Sequence, residues 1–153
     1  MSDSIRALDL TVDAIAQRVL QIQRMAYQIE AELIGFDGIP QLHESLQDLS
    51  ESCENFLGFF VEDTLAGVLS YSIDKHMLDI GRLVVHPDYF RRGIGKQLVQ
   101  FVETIAEIER IVVSTGALNR PARYLYEQSG YELLEEKQIV DGLIMAFYQK
   151  NLS

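Results

Sequence analysis

The spacing of hydrophobic positions changes period along the chain, and each change marks an element. Ile5 to Leu10 read as a short opening strand, after which Asp13 is placed to cap a helix. In that helix Ile15, Val19, Ile22, Ala26, Ile29 and Leu33 recur at helical spacing. Gly35, Gly38 and Pro40 break the pattern, and Leu42, Leu46 and Leu49 predict a second, shorter helix. From Phe56 the period falls to two. Phe56 to Glu62, Leu65 to Ile73 and Met77 to Val85 read as a three-stranded meander turning at Asp63-Thr64 and at Asp74 to His76. Helical spacing returns from Gly95 to Glu107, followed by a β-branched strand from Arg110 to Ser114 and a helix over Asn119 to Gln128. Leu133 to Val140 and Leu143 to Gln149 form a hairpin about Asp141-Gly142, a dipeptide suited to a tight turn. These elements predict a mixed α/β (α+β) sheet of about seven strands, with helical crossovers wherever neighbouring strands run parallel.

No repeat, low-complexity tract or Pro/Gly/Ser-rich linker interrupts the 153 residues, a length that fits one hydrophobic core, so residues 1–153 are expected to form a single domain. No apolar run reaches the roughly 18 residues of a membrane helix, and Met1 to Arg6 offers no basic region ahead of an apolar stretch; a cytoplasmic location without membrane contact is expected. The formal net charge of −10 repels nucleic acid and favours cationic ligands. Cys53, the single cysteine, sits among Glu51, Ser52 and Glu54, which cannot stabilise a thiolate, so it reads as structural. His43, His76 and His86 show no metal-ligand spacing, and no metal is expected.

Against that acidic background one basic turn stands out: Leu83-Val84-Val85-His86-Pro87-Asp88-Tyr89-Phe90-Arg91-Arg92-Gly93-Ile94-Gly95-Lys96. Glycines at 93 and 95 let a backbone turn its N–H groups inward, and the following helix adds the partial positive charge of its N-terminus. Such a turn suits a phosphate. It is not the dinucleotide fingerprint, because the residue three beyond Gly95 is Leu98, and no Gly-Lys-Ser/Thr follows to make a nucleotide P-loop. A second stretch, Asn119-Arg120-Pro121-Ala122-Arg123-Tyr124-Leu125-Tyr126-Glu127-Gln128-Ser129-Gly130-Tyr131, has a helix cap in Asn119 and a helix stop in Gly130. Taken alone, Tyr126 reads as a packed aromatic.

Together the two stretches resemble the GNAT acyltransferase superfamily. There, a strand ending in Val-x-Pro runs into Gln/Arg-x-x-Gly-x-Gly/Ala, and Asn-x-x-Ala-x-x-Leu-Tyr-x-x-x-Gly-Phe/Tyr follows. Val85, Pro87, Gly93, Gly95, Asn119, Ala122, Leu125, Tyr126, Gly130 and Tyr131 stand at the matching positions. The resemblance implies a central mixed sheet with helices on both faces, splayed between its fourth and fifth strands. It implies an N-acetyltransferase that uses acetyl-CoA as acyl donor and a small-molecule or peptide amine as acceptor, without a metal. The backbone of Arg91, Arg92, Gly93, Ile94, Gly95 and Lys96 would hold the pyrophosphate, and Leu83, Val84 and Val85 would pair with the pantetheine arm. Asn119 and Ala122 would line that arm, and Tyr126 would act as general acid to the departing thiolate. Tyr27, Glu30 and Phe36 fall where relatives contact the acceptor.

The chain departs from the family pattern in two respects. Gly81 and Ser114 occupy positions at which relatives carry a general base, leaving Asp79, His86, Glu30, Glu32 or a relayed water for that role, and Phe90 stands where Gln or Arg is usual. The departures keep a second reading open, a coenzyme A-binding sensor or regulatory module that has lost turnover. The motifs do not distinguish a peptide terminus, a lysine, a polyamine, an amino sugar or a drug as acceptor. The edge left by the C-terminal strands is compatible with a homodimer.

Overall fold

In the computed structural model, which describes residues 3–152, β1 (Asp3–Leu8) leads into the long helix α1 (Asp13–Ile34). A single 3-10 turn (Pro40–His43) and the short α2 (Leu46–Ser50) precede the meander β2 (Asn55–Val61), β3 (Thr64–Asp74) and β4 (Met77–Val85). The chain then crosses through α3 (Ile94–Val102) to β5 (Arg110–Gly116), and through α4 (Arg120–Gln128) to the hairpin β6 (Glu132–Val140) and β7 (Leu143–Asn151). Met1 and Ser2, part of the N-terminal stretch considered above, lie outside the described residues.

All seven strands join one sheet in the order β1-β2-β3-β4-β5-β7-β6. Its one parallel pair is β4 with β5, bridged by α3 as parallel neighbours require. The two faces carry separate cores. On one, α1 and α2 bury Val19, Ile22 and Leu49 against Phe56, Val68 and Val84; on the other, Leu98, Val99 and Val102 of α3 and Tyr126 of α4 pack on Leu69, Leu78, Ile111 and Tyr148. β6 forms one edge of the sheet, opposite β1, and is exposed at every position. Register shifts at Leu134 and Ile139 interrupt its ladder with β7, a feature that bends an edge away from flat pairing.

Several local expectations are corrected. Asp13 is not the cap: Val12 holds that place without a side-chain bond, and Asp13 lies in the first turn, where its carboxylate accepts from Gln17 Nε2 at 2.7 Å. The second helix divides into the 3-10 turn and α2, because Ser45 opens a new capping box with Asp48. The helix expected to reach Glu107 stops at Val102. Thr104 Oγ1 donates back to Phe101 O at 2.7 Å, and the chain turns so that Ile105 and Ile108 pack on the core. Cys53 is free and exposed between α2 and β2.

Candidate active site

The site begins where β4 and β5 part. They pair only over Met77–Ile80 and Arg110–Val113. At that point β4 carries a bulge: Ile80 faces Tyr71 and Arg82 faces Ser70, leaving Gly81 as the extra residue. The bulge reverses the alternation, so Ile80 joins the core under α3 while Arg82 and Val84 turn toward α1. It also bends β4 away from β5. A Cβ at Gly81 would stand 2.7 Å from Glu54 Oε1 and 3.2 Å from Ser70 Oγ, so a larger residue would displace the Glu54 carboxylate. Beyond it, the β5-facing edge of β4 has no strand partner, and a cleft of about 1100 Å³ runs between the strands from α1 to the start of α3.

At one end of the cleft lies the glycine turn. His86 Nδ1 accepts from the Asp88 N–H at 3.0 Å and fixes the turn's entry. Arg91 (φ 66°) and Gly93 (φ 75°) then both adopt the left-handed region, Gly93 as the residue that caps α3. Left-handed residues this close, ahead of a helix start, form the concave array of N–H groups that binds anions. Arg91 accepts a conformation that costs a non-glycine residue about 1–2 kcal/mol, the kind of strain found where backbone geometry serves a ligand. Gly95 fits between Leu125 and Leu83, with its Cβ position 3.3 and 3.9 Å from them. Leu83, Val84, Val85, Arg91, Gly93, Ile94, Gly95 and Lys96 all line the cleft. Arg92 is not among the lining residues; its guanidinium lies 5.0 Å from the Tyr89 ring centroid.

Asn119 caps α4, accepting from the Ala122 N–H and donating to Thr115 Oγ1, both at 3.3 Å. That cap starts α4 at the cleft wall and, two turns on, buries Tyr126 with its ring 5.8 Å from Tyr131 and 6.0 Å from Tyr148. Burial, then the charge of Glu30, pushes the Tyr126 phenol well above its ordinary value, which favours its protonated form. Tyr27 is raised in the same way, by burial first and Glu30 second. Glu30 lies partly buried near Asn119 and Gly116, and burial, the largest influence on it, raises its carboxyl above the ordinary carboxylate value. Tyr27, Glu30, Asn119, Ala122 and Tyr126 line the cleft, whereas Phe36 folds over Gly38 and does not.

Arg82 also lines the cleft and is an addition to the residues read from the sequence. It is 4% exposed and fully engaged: it bonds Glu44, donates to Glu54 Oε2 at 2.7 Å and reaches Gln23 Oε1 at 3.0 Å. Burial alone would raise Glu54, but hydrogen bonds from Arg82 and Ser70 outweigh it and hold Glu54 below its ordinary value. A charged residue at a strand position where the pattern demands burial was the available signal for Arg82. Among the described residues no group of three or more His, Cys, Asp or Glu side chains forms a metal site, and no helix is long and apolar enough to cross a membrane.

A split sheet with a glycine turn at the mouth of the split is the architecture of the acetyltransferase (GNAT) family, whose model matches residues 17–131; the chain belongs to that family. The UPF0157 protein YqkA of Bacillus subtilis (strain 168) is 44% identical over 135 residues, covering 88% of this chain but 39% of that protein, so the chain spans well under half of this relative's length. Among solved structures, the PaiA N-acetyltransferase of Thermoplasma acidophilum in complex with coenzyme A superposes with a TM-score of 0.79 at 20% identity, over 99% of both chains. The ribosomal-protein-S18-alanine N-acetyltransferase of Escherichia coli gives 0.77 at 15% identity, over 99% of this chain and 95% of that one. YncA of Salmonella typhimurium, with its cofactor acetyl-CoA, gives 0.73 at 15%, over 100% and 95%. At these identities the structural likeness establishes the fold.

Proposed function

We propose that the chain, acting as one domain, transfers the acetyl group of acetyl-CoA to a primary amine by direct attack, with Tyr126 supplying a proton to the departing thiolate. The observation that carries this reading is the layout of a single cleft. It joins a glycine turn with left-handed residues at 91 and 93, an unpartnered strand edge and a buried phenol. Family membership supports it, as do neighbours whose structures hold coenzyme A or acetyl-CoA.

In this reading the backbone from Arg91 to Lys96 takes the pyrophosphate, with Arg91 and Lys96 adding charge. The free edge of Leu83, Val84 and Val85 pairs with the amides of the pantetheine arm as an added strand would, between walls that include Asn119 and Ala122. A backbone N–H near Val84 or Val85 polarises the thioester carbonyl. The amine attacks the acetyl carbon, and the phenol of Tyr126 donates to the sulfur as the C–S bond breaks. Cys53 lies outside the cleft lining and forms no acyl-enzyme in this scheme.

The test is thiol release from acetyl-CoA across a panel of amines, with wild type and Tyr126→Phe. The expected result is turnover by wild type and a kcat about 100-fold lower in the variant, at nearly unchanged KM for acetyl-CoA. Equal kcat in the two proteins would remove Tyr126 from the chemistry. Coenzyme A binding without thiol release from any amine would replace the enzyme by a sensor.

A further inference from the structure

The reaction also needs a group to take a proton from the amine, since an ammonium has no lone pair with which to attack. Four side chains were candidates, and the fold separates them. His86 spends its Nδ1 on the Asp88 N–H, Asp79 and Glu32 are exposed outside the cleft, and only Glu30 lines it. Glu30 is in fact the sole carboxylate among the described lining residues. Glu54 comes close to the position a side chain at Gly81 would occupy. It is nevertheless tied to Arg82 and Ser70, which makes it a poor proton acceptor, and it does not line the cleft.

The cleft lining is largely apolar, with Ala26, Ile29, Leu33, Ile39, Pro40 and Met145 among its residues, and away from the glycine turn its polar members such as Tyr27, Gln41 and Asn119 are neutral. Arg82, which also lines it, is neutralised by Glu44 and Glu54 and has no free donor pair to offer a substrate carboxylate. The cleft therefore offers one carboxylate for positive charge, in a lining that is otherwise mostly apolar or neutral away from the glycine turn. A polyamine would bring further ammonium groups to a lining whose described residues hold no second carboxylate, leaving them desolvated without a partner. An amino acid would leave its carboxylate unpaired, since Arg82 is already engaged.

Resting on the acetyl-transfer reading above, we propose that Glu30 is the catalytic base and that the acceptor is a monoamine on an apolar or aromatic body. The ammonium gives one proton to a Glu30 carboxylate oxygen, and the freed lone pair forms the N–C bond at the acetyl carbon. The C–S bond breaks with its electron pair on sulfur. Tyr126 passes a proton to that sulfur and is made whole by the second proton of the now cationic nitrogen. Glu30 releases its proton to solvent, so each ammonium consumed yields amide, free thiol and one proton.

The experiment is thiol release with phenethylamine, hexylamine, spermidine and a short alanine peptide, using wild type, Glu30→Gln and Glu30→Asp across a pH series, with coenzyme A affinity measured alongside. The expected result is a kcat/KM at least about 10-fold higher for phenethylamine or hexylamine than for spermidine or the peptide. Glu30→Gln should lower kcat by about 100-fold or more, with Glu30→Asp recovering part of it and coenzyme A affinity unchanged. The residual rate of Glu30→Gln should climb with pH toward the amine's own pKa, because only free amine from solution can then react. Preference for spermidine or the peptide, or a Glu30→Gln kcat within about 2-fold of wild type, would overturn the proposal while leaving acetyl transfer standing. Absence of thiol release from every amine would overturn both together.

Discussion

Arg82 shows how much of this site depends on single side chains meeting across the fold. Its partners lie on α1, on the loop before α2 and at the start of β2, and the cluster fastens all three to β4 beside the cleft. Removing one member of a buried ion cluster leaves the others desolvated without compensation. Arg82→Met is therefore expected to lower stability by about 3 kcal/mol, the lower end of that class because Glu44 and Glu54 keep some exposure, as read from urea denaturation. The loss should depend on pH. Glu54 has a folded pKa below its ordinary value of 4.5, so its contribution is complete above that value and fades as pH falls through the depressed one. The gap between wild type and variant should accordingly narrow in acid. Arg82 itself carried a signal, a charge at a buried strand position, but its partners were not legible, because they stand 28 to 59 positions away and local pattern carries no information over that span. Tyr126 and the glycine turn do line the cleft; the turn was singled out by its own local pattern, Tyr126 only through the family resemblance.

The elements that build the cleft are set by a bulge and a cap. Gly81 ends the β4–β5 ladder, and Asn119 starts α4 at the opposite wall while its amide also lies against Glu30. Asn119→Ala is expected to lose about 1 kcal/mol, the usual value of a helix cap, measurable as a lowered denaturation midpoint. Strand identities and most boundaries followed from the sequence pattern: β4 alternates, while β2 and β3 are continuous apolar runs because both of their faces are buried. The overlong α3 was a different matter. Ile105 continues the helical spacing, yet the core under β4 and β5 accepts Ile105 and Ile108 only if the chain turns after Val102, and tertiary packing prevails over periodicity. The Gly81 bulge was equally hidden, since a lone glycine in a strand does not announce whether it bends the sheet or merely lacks a side chain.

Across the whole molecule, two cores hold the halves of one sheet at a fixed splay, and the cleft is the space the splay leaves. Net charge gives the cleft its contrast: in a chain of net −10, Arg91, Arg92 and Lys96 gather at one turn while Glu30 stands alone at the other end. The central claim is that this cleft binds coenzyme A with its phosphates on the glycine turn. The most direct measurement is calorimetric titration of the folded protein with coenzyme A, repeated with Gly93→Asp. That variant should fold, because nothing lies within 4 Å of a Cβ at position 93, and Asp tolerates a left-handed backbone better than most residues. One-to-one binding near micromolar, about −8 kcal/mol, weakened at least about 10-fold by Gly93→Asp, is the predicted result. No binding by folded wild type, or equal binding by the variant, would contradict the account.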